Sequence, residues 1–340
     1  APEGFHGALI QVKDTKLALQ TIGRCLRARL SIPLVGITGS VGKTTTREMV
    51  AAALSAKYKT FKTPANHNSQ IGVPLTISEI SENDEIGVLE LGMSEPGEME
   101  VIAEIAAVDS AVMTNIGVTH IENLGSRENI LKEKLHIQDG MKAGGILFVN
   151  GDNDMLSTVH AKAGCHTVRY GLGADNDYRA EDLSYPDGFP SFTMVHGEVR
   201  VPVKLTVMGE HNVMNALAAL AVADAYGVPL ADAAEKLLEF GGFKNRQQIY
   251  HKNGYTIVDD TYNASPDSMK AAIGVLSSLP AGRRIAVLAD MKELGENTIQ
   301  FHREVGAFLA EKPVDILVVY GELAQSIAEG AKRVKPDLHI

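Results

Sequence analysis

Apolar residues follow two patterns along the chain: short continuous runs, and longer segments with an apolar residue every three or four positions. The runs are typical of buried strands and the longer segments of amphipathic helices. Alternation of the two predicts parallel sheets covered by helices. The predicted strands are residues 34–38, 86–91, 111–116, 145–150, 255–259, 284–288 and 316–320. The predicted helices are residues 43–57, 97–107, 126–141, 212–226 and 230–240.

The pattern changes between residues 177 and 208, where short alternating stretches are separated by Pro and Gly. This change predicts an antiparallel excursion. Gly241 and Gly242 directly follow the predicted helix 230–240, and this pair of glycines predicts a hinge. Because 340 residues are too many for one ordinary core, we predict an α/β fold with two domains, the larger one first.

The composition is that of a soluble globular protein, with 45% hydrophobic and 22% charged residues. A net charge of −10 argues against general binding of nucleic acid. No apolar run approaches the roughly 18 residues of a membrane span. The two cysteines, Cys25 and Cys165, are far apart, which favours a reducing compartment over a disulfide. We therefore expect a cytoplasmic protein with no nucleic-acid partner and no membrane span.

Residues 34–50, LVGITGSVGKTTTREMV, have the strand, turn and helix of a phosphate-binding loop. The usual spacing would place a glycine where Ile37 stands. Backbone N–H groups of residues 39–44 would still surround phosphates at a helix N-terminus. Lys43 would reach the β- and γ-phosphates, and the Thr44 hydroxyl would bind Mg²⁺. The alternative is a glycine turn before a threonine-capped helix.

Two polar side chains follow neighbouring predicted strands. Glu90 stands where α/β folds bind ligands, so it is either a ligand for Mg²⁺ or a solvated acid at a strand end. His120 is either a hydrogen-bonded structural residue or a ligand of a metal or phosphate. Because the ends of these two strands should be neighbours, we expect Glu90 and His120 to share one crevice.

Lys134 lies in the middle of an apolar stripe of the predicted helix 126–141. Such a lysine commonly extends its amine to water. If it is desolvated instead, its pKa falls, and the neutral amine can take up CO₂ as a carbamate. A carbamylated lysine offers anionic oxygens, which suit Mg²⁺.

Several polar residues of the second half are further candidates for a ligand site. Asn212 would be only a helix cap, whereas nothing local requires an amide at Asn215 and the edge of a base would. Asp260 ends a strand before a turn, a second position where ligands bind. Arg246, just past the hinge, could place its guanidinium on phosphates.

Six segments, in this order, resemble the Mur ligases of peptidoglycan synthesis: GITGSVGKTTT, ELGMSEPGEM, NIGVTHIENLGS, GEHNVMNALAA, DDTYNASPDSM and DMKELGE followed by HREVG. The resemblance covers nearly the whole chain. The family pattern T-G-x-x-G-K-[ST]-T is matched by Thr38, Gly39, Ser40, Val41, Gly42, Lys43, Thr44 and Thr45.

The resemblance implies a central P-loop-type ATPase domain with a mostly parallel sheet, followed by a smaller Rossmann-like α/β domain. The corresponding residues are 21–243 and 244–340, and residues 1–20 would be a remnant of a UDP-binding domain. With most of that domain absent and the last domain short, we expect a fragment of a longer ligase.

The resemblance also implies roles for the phosphate and metal candidates. Lys43 would bind phosphates, and Thr44 with Glu90 would hold one Mg²⁺. His120 and a carbamylated Lys134 would hold a second Mg²⁺ near the acyl acceptor. The family commonly reads A-K-G-E-I around this lysine, whereas residues 133–137 read EKLHI.

Further roles are implied on either side of the phosphates. Asn215 resembles the amide that contacts adenine, and Arg246 and Asp260 resemble the residues that meet phosphate and ribose. Asn66 and Asn68 match a loop that faces nucleotide and substrate.

The implied reaction is ATP-dependent amide formation through an acyl phosphate, with ATP and Mg²⁺ as cofactors. DDTYNASPDSM and DMKELGE resemble the members that add D-alanyl-D-alanine to a UDP-N-acetylmuramoyl-tripeptide. We expect a monomer with these two substrates as its partners. Two alternatives stay open: a related Mur, folylpolyglutamate or cyanophycin-type ligase, and a nucleotide-binding fragment without catalysis.

Overall fold

The computed structural model describes residue 4 and residues 6–340. Part of the predicted 1–20 segment, residues 1–3 and 5, therefore lies outside the described residues. The first helix begins within that segment and crosses its predicted end, with Asp14 accepting from the Leu17 N–H at 2.9 Å. The predicted domain boundaries themselves stay a prediction. No helix in the described part of the chain is long and apolar enough to cross a membrane.

The strands are β1 Leu34–Thr38, β2 Thr60–Lys62, β3 Ile86–Glu90, β4 Ser110–Met113, β5 Ile146–Asn150, β6 His166–Gly171, β7 Tyr178–Ser184, β8 Ser191–His196, β9 Val199–Lys204, β10 Gln248–Lys252, β11 Tyr255–Asp259, β12 Ile285–Ala289 and β13 Ile316–Tyr320. The α-helices are α1 Thr15–Arg27, α2 Lys43–Leu54, α3 Gly72–Glu79, α4 Glu98–Ala106, α5 Ile121–Leu124, α6 Arg127–Leu135, α7 Glu210–Ala225, α8 Leu230–Leu237, α9 Pro266–Ser278, α10 Thr298–Ala310 and α11 Gln325–Val334.

The large domain is built on a nine-stranded sheet in the order β2-β3-β1-β4-β5-β6-β7-β8-β9. Neighbouring strands are parallel from β2 to β7 and antiparallel from β7 to β9. The predicted α/β class and the antiparallel excursion are thus confirmed. The strands β3 and β4 flank β1 on opposite sides, so the crossovers reverse direction there. Ligands of open α/β sheets bind at such a switch point.

Helices cover both faces of this sheet, as expected for strands with nearly continuous apolar runs. One core joins β1 to α2, α7 and α8, with Ile37, Met49 and Leu217 fully buried. The other core joins the opposite face to α3, α4 and α6, with Leu89 and Ile102 fully buried. The sheet is therefore a rigid platform for the loops at its carboxyl edge.

The small domain has its own core, which packs α9, α10 and α11 against β12 and β13. Its α9 begins with a capping box at Ser265 and with Pro266 in the first turn. The strands β12 and β13 are parallel, but β10 and β11 form an antiparallel hairpin. Asn253 and Gly254 form the turn of that hairpin, with φ of +53° and +80°. Asn-Gly is preferred in two-residue hairpin turns, because both central residues of such a turn have positive φ.

Several predicted elements end earlier than expected, β4 and α6 among them. β4 stops at Met113 rather than at residue 116, and the side chains of Thr114 and Asn115 bind the glycine loop after β1. The helix α6 stops at Leu135 rather than at residue 141 and is followed by a short 3₁₀ turn at His136–Gln138.

Two predicted helix starts are also wrong. α4 begins at Glu98 rather than at residue 97, because Gly97 precedes the helix with φ of +80°. α7 begins at Glu210, and the Asn212 amide donates to the Met208 carbonyl at 2.7 Å instead of capping the helix.

Candidate active site

A cavity of about 500 Å³ lies at the carboxyl ends of β1, β3 and β4, between the two domains. Its volume is in the range of small-molecule sites. The predicted site residues that line it are Ser40, Val41, Gly42, Lys43, Thr44, Thr45, Asn68, Glu90, His120, Asn215, Arg246 and Asp260. Thr38, Gly39, Asn66 and Lys134 are not among its lining residues.

The glycine loop is held in shape by the segment after β4. The Val41 N–H donates to Asn115 Oδ1 at 2.9 Å, and Thr114 Oγ1 donates to the Val41 carbonyl at 2.5 Å. Gly42 precedes α2 with φ of +84° and gives no side-chain cap. The first N–H groups of α2 therefore lack a capping side chain and suit an anion.

The position that breaks the usual loop spacing lies inside the sheet. Ile37 is fully buried in β1, where it pairs with Glu90 and Val112 on the flanking strands. A glycine there would only weaken the strand. Thr38 ends this strand, and its buried Oγ1 has no hydrogen-bond partner within the described residues.

Lys43 folds back over the loop. Its Nζ donates to the carbonyl oxygens of Gly39 at 2.8 Å and Ser40 at 3.4 Å. Burial lowers the pKa of Lys43, while the nearby Glu90 carboxylate acts in the opposite direction. An incoming phosphate would offer this ammonium a stronger partner than two carbonyls.

Glu90 is buried, with 3% of its surface exposed, so it is not a solvated acid at a strand end. Its Oε1 accepts from Asn68 Nδ2 at 2.8 Å, and its Oε2 accepts from Arg47 Nη1 at 3.1 Å. Each carboxylate oxygen can accept more than one bond, so both remain able to bind a metal. Sequence reasoning missed Arg47, because an arginine on a helix is usually at the surface.

His120 lies on the same cavity and contacts the other domain. Its Nδ1 contacts the Glu293 carboxylate, and the Glu122 N–H donates to the Glu293 carbonyl at 3.3 Å. Burial lowers the pKa of His120, and Glu293 opposes that shift. His120 and Glu293 have φ of +65° and +61°, a strained backbone for residues other than glycine. Sequence reasoning did not identify Glu293, although DMKELGE contains it.

Lys134 does not reach water. Only 1% of the residue is exposed, which excludes the reading in which its amine extends to solvent. Burial, with a smaller contribution from the charge of Lys43, places the pKa of Lys134 well below its ordinary value. The side chain makes no ion pair within the described residues, so a neutral amine is favoured.

Asn215 has local partners, contrary to the expectation that nothing nearby requires an amide. Its Oδ1 accepts from Thr46 Oγ1 at 2.9 Å, and its Nδ2 donates to Asn212 Oδ1 at 3.0 Å. The bond from Thr46 joins α7 to α2, and the bond to Asn212 lies within α7. Asn215 still lines the cavity, so it could exchange one of these bonds for a ligand.

Arg246 and Asp260 line the cavity from the far side of the hinge. The Arg246 guanidinium lies 4.0 Å above the Tyr262 ring, and its buried Nε has no hydrogen-bond partner within the described residues. Asp260 Oδ1 accepts from the Gln247 N–H at 3.3 Å, and burial raises its pKa. A cation and a carboxylate with unused bonding capacity thus face the cavity.

The two asparagines of the predicted substrate loop differ. Asn68 lines the cavity and binds Glu90. Asn66 is exposed to solvent, and its carbonyl accepts from the Asn68 N–H at 2.8 Å. The prediction that Asn66 faces the ligand is therefore not supported by its position, because the turn that presents Asn68 directs residue 66 outward.

The arrangement fits a magnesium nucleotide. The described chain contains no group of three or more His, Cys, Asp and Glu side chains that could hold a metal alone. Mg²⁺ at nucleotide sites usually takes one or two protein ligands together with phosphate oxygens. Thr44 and Glu90 are oxygen donors on the cavity beside Lys43, which matches that pattern.

The chain matches two family models, the Mur ligase middle domain at residues 37–223 and the Mur ligase glutamate ligase domain at residues 245–339. A Bacillus subtilis protein named UDP-N-acetylmuramoyl-tripeptide–D-alanyl-D-alanine ligase is 42% identical over 95% of this chain and 70% of its own length. A Haemophilus influenzae protein of the same name is 34% identical over 94% of this chain and 70% of its own length.

Solved structures give the same result. MurF from Acinetobacter baumannii superimposes with a TM-score of 0.90 at 33% identity, over 97% of this chain and 73% of that one. MurF from Thermotoga maritima in complex with ADP gives a TM-score of 0.85 at 32% identity, over 94% and 74%. A Mycobacterium tuberculosis folylpolyglutamate synthase, at 17% identity and a TM-score of 0.75 over 95% and 84%, shares the fold alone. The resemblance drawn from the sequence is thus confirmed: the chain belongs to the Mur ligase family.

Proposed function

We propose that the chain joins D-alanyl-D-alanine to a UDP-N-acetylmuramoyl-tripeptide at the expense of ATP, a step of peptidoglycan precursor synthesis. The observation that carries this proposal is the 42% identity, over 95% of the chain, to a Bacillus subtilis ligase with that activity in its name. The chain spans 70% of that relative. The phosphate cavity between the two domains gives the activity a place in the fold.

The glycine loop, residues 38–45, would bind the phosphates of ATP. Lys43 would leave the two loop carbonyls and bind the β- and γ-phosphates, which neutralises charge as it develops. Thr44 and Glu90 would hold a first Mg²⁺, which supplies Lewis-acid stabilisation of the phosphoryl oxygens. Thr38 and Gly39 would support the loop from behind the cavity wall.

Lys134 and His120 would hold a second Mg²⁺ next to the acyl acceptor. A buried neutral amine at Lys134 can attack CO₂, forming an N–C bond and releasing a proton to give the carbamate. The carbamate oxygens would then be hard ligands for the metal. Glu293 would hold the His120 ring from the small domain.

The remaining cavity residues would bind the nucleoside and the substrate. Asn215 would contact the adenine, while Arg246 and Asp260 would contact phosphate and ribose from the small domain. Asn68 would face the acceptor side of the phosphates beside Glu90.

In the reaction, the terminal carboxylate of the tripeptide would attack the γ-phosphorus, and ADP would leave. The amine of D-alanyl-D-alanine would attack the acyl phosphate, and the tetrahedral intermediate would expel inorganic phosphate. Gly242 has φ of +93°, and an added Cβ at Gly241 would meet no atom within 4 Å, so this segment suits a hinge. Closure about it would exclude water from the acyl phosphate.

We further propose domain boundaries at residues 1–20, 21–243 and 244–340, a cytoplasmic location and a monomeric state.

The test measures phosphate release from ATP in the presence of tripeptide precursor and dipeptide, for the wild-type chain and for Lys43→Ala. We expect the variant to lose substrate-dependent release. Unchanged release in Lys43→Ala would refute the assignment, and Mg-ATP binding without any turnover would favour a nucleotide-binding module.

A further inference from the structure

Arg47, on α2 four residues past the lysine of the glycine loop, is a buried charge that the reaction described above does not use. Only 1% of its side chain is exposed. Burying a guanidinium is costly unless its donors are bound, and an apolar side chain fills such a place at lower cost. Its presence therefore needs a reason beyond packing.

The Arg47 guanidinium binds three groups at once. Its Nε and Nη2 donate to Glu48 Oε1 at 3.1 and 2.6 Å. Its Nη1 donates to the Ala65 carbonyl at 2.9 Å and to Glu90 Oε2 at 3.1 Å. Glu48 is fixed in turn by Lys62, which contacts its second oxygen. The planar fork of arginine can make this set of bonds, whereas a lysine ammonium cannot.

The consequence falls on Glu90. Arg47 holds one of its oxygens and Asn68 holds the other, so the orientation of the carboxylate is set before any ligand arrives. Glu48 and Lys62 form the outer part of this cluster, and neither lines the cavity. Arg47 is likewise not a cavity residue, so it can act on a ligand only through Glu90.

The domain junction covers the same guanidinium. The ring centroid of Phe243 lies 5.6 Å from Arg47 Cζ, in cation–π range. Phe243 follows directly on Gly241 and Gly242. Phe243, at the junction of the two domains, therefore covers the Arg47 guanidinium.

We propose that Arg47 is a positioning residue that holds the Glu90 carboxylate in the orientation required for the metal of a metal–nucleotide complex. This inference rests on the proposed role of Glu90 as a metal ligand. In this proposal Glu48 anchors the Arg47 guanidinium, and Phe243 shields the guanidinium from water.

The test measures how much Mg²⁺ strengthens ADP binding, by titration calorimetry with Mg²⁺ and with EDTA. Arg47→Lys keeps the charge but loses the fork. We expect ADP binding in EDTA to stay within about twofold of wild type, while the strengthening by Mg²⁺ falls about tenfold, the usual effect of losing the partner of a metal ligand. An unchanged effect of Mg²⁺ would overturn the proposal.

Arg27→Lys is the matched control. Arg27 is also buried, with 7% exposed, but its guanidinium binds the carbonyls of Ala106 and Ala107 and the carboxylate of Asp109, none of which lines the cavity. We expect this control to lower stability and leave the effect of Mg²⁺ intact. If Arg27→Lys reduced the strengthening of ADP binding by Mg²⁺ as much as Arg47→Lys does, the loss would not be specific to Arg47, and the proposed role would be refuted.

Combining Arg47→Lys with Glu90→Gln distinguishes a failure of the role of Arg47 from a failure of the proposed metal role of Glu90. If Arg47 acts through Glu90, Arg47→Lys should weaken the effect of Mg²⁺ no further in a Glu90→Gln background, whereas an additive loss would contradict the proposal. If Glu90→Gln alone keeps the full effect, the metal role of Glu90 fails first. Should Arg47→Lys not fold, Glu48→Gln provides the test, with a smaller loss in the same direction expected and no loss counting against it.

Discussion

Gly39 offers a quantitative test of how the loop is built. Its φ is +151°, and an added Cβ would lie 1.9 Å from Thr114 Oγ1 and 3.1 Å from the Asn115 backbone nitrogen. A backbone of this kind costs a residue other than glycine about 1–3 kcal/mol. Overpacking costs a further 1–3 kcal/mol or so, since Thr114 must give up its bond to the Val41 carbonyl. Gly39→Ala should therefore lower the free energy of unfolding by about 2–6 kcal/mol.

The control is Gly97→Ala. Gly97 has φ of +80°, but an added Cβ there would meet no atom within 4 Å, so only the backbone cost of about 1–3 kcal/mol remains. Urea unfolding of both variants measures the free energies, and ADP titration reports whether the loop still binds phosphates. We expect Gly39→Ala to be the less stable and to bind ADP weakly. Equal stability of the two variants would refute the steric reasoning, and intact ADP binding by Gly39→Ala would contradict the assigned loop geometry.

Three further predictions concern residues around the cavity. Burial lowers the pKa of His211 to about 4, so the folded state binds fewer protons than the unfolded state between pH 4 and 6.5, and stability rises with pH across that window. On going from pH 7 to pH 5, the free energy of unfolding of His211→Gln should fall by about 1–2 kcal/mol less than that of wild type, as measured by urea unfolding. Glu293→Gln should weaken the contact with His120 and speed proteolysis at the hinge, and an unchanged cleavage rate would contradict the interdomain role. Thr46→Val should cost about 1–3 kcal/mol in urea unfolding by leaving Asn215 Oδ1 without its donor, and a neutral effect would mean that this bond is dispensable.

The sequence predicted those features of the fold that depend on local pattern. The strands β1, β11 and β13 begin and end as predicted, because each contains a short run of apolar and β-branched residues that can be recognised without knowing its neighbours. The strand β4 ends early, and the side chains of Thr114 and Asn115 bind the loop after β1, a contact that no local pattern contains. The hairpin strand β10 was missed because its residues, QIYHK, are largely polar and exposed.

The site residues also fall into two groups, those that a local motif identifies and those that depend on distant partners. Lys43 and Thr44 follow from a loop motif whose spacing is local, so their place on the cavity could be foreseen. Arg47 and Glu293 act through partners 43 and 173 residues away in the chain, and a single sequence contains no signal for such pairs. Asn66 was predicted by a motif that could not distinguish the outward side of a turn from the inward side.

The most direct test of the proposed function is the product formed with different acceptors. The chain would be supplied with Mg-ATP, a UDP-N-acetylmuramoyl-tripeptide and either D-alanyl-D-alanine or a single amino acid, and the nucleotide products would be measured by mass spectrometry. We expect the dipeptide alone to be added, with loss of one water and release of one phosphate for each bond formed. Addition of a single amino acid instead, or phosphate release that does not depend on the dipeptide, would contradict it.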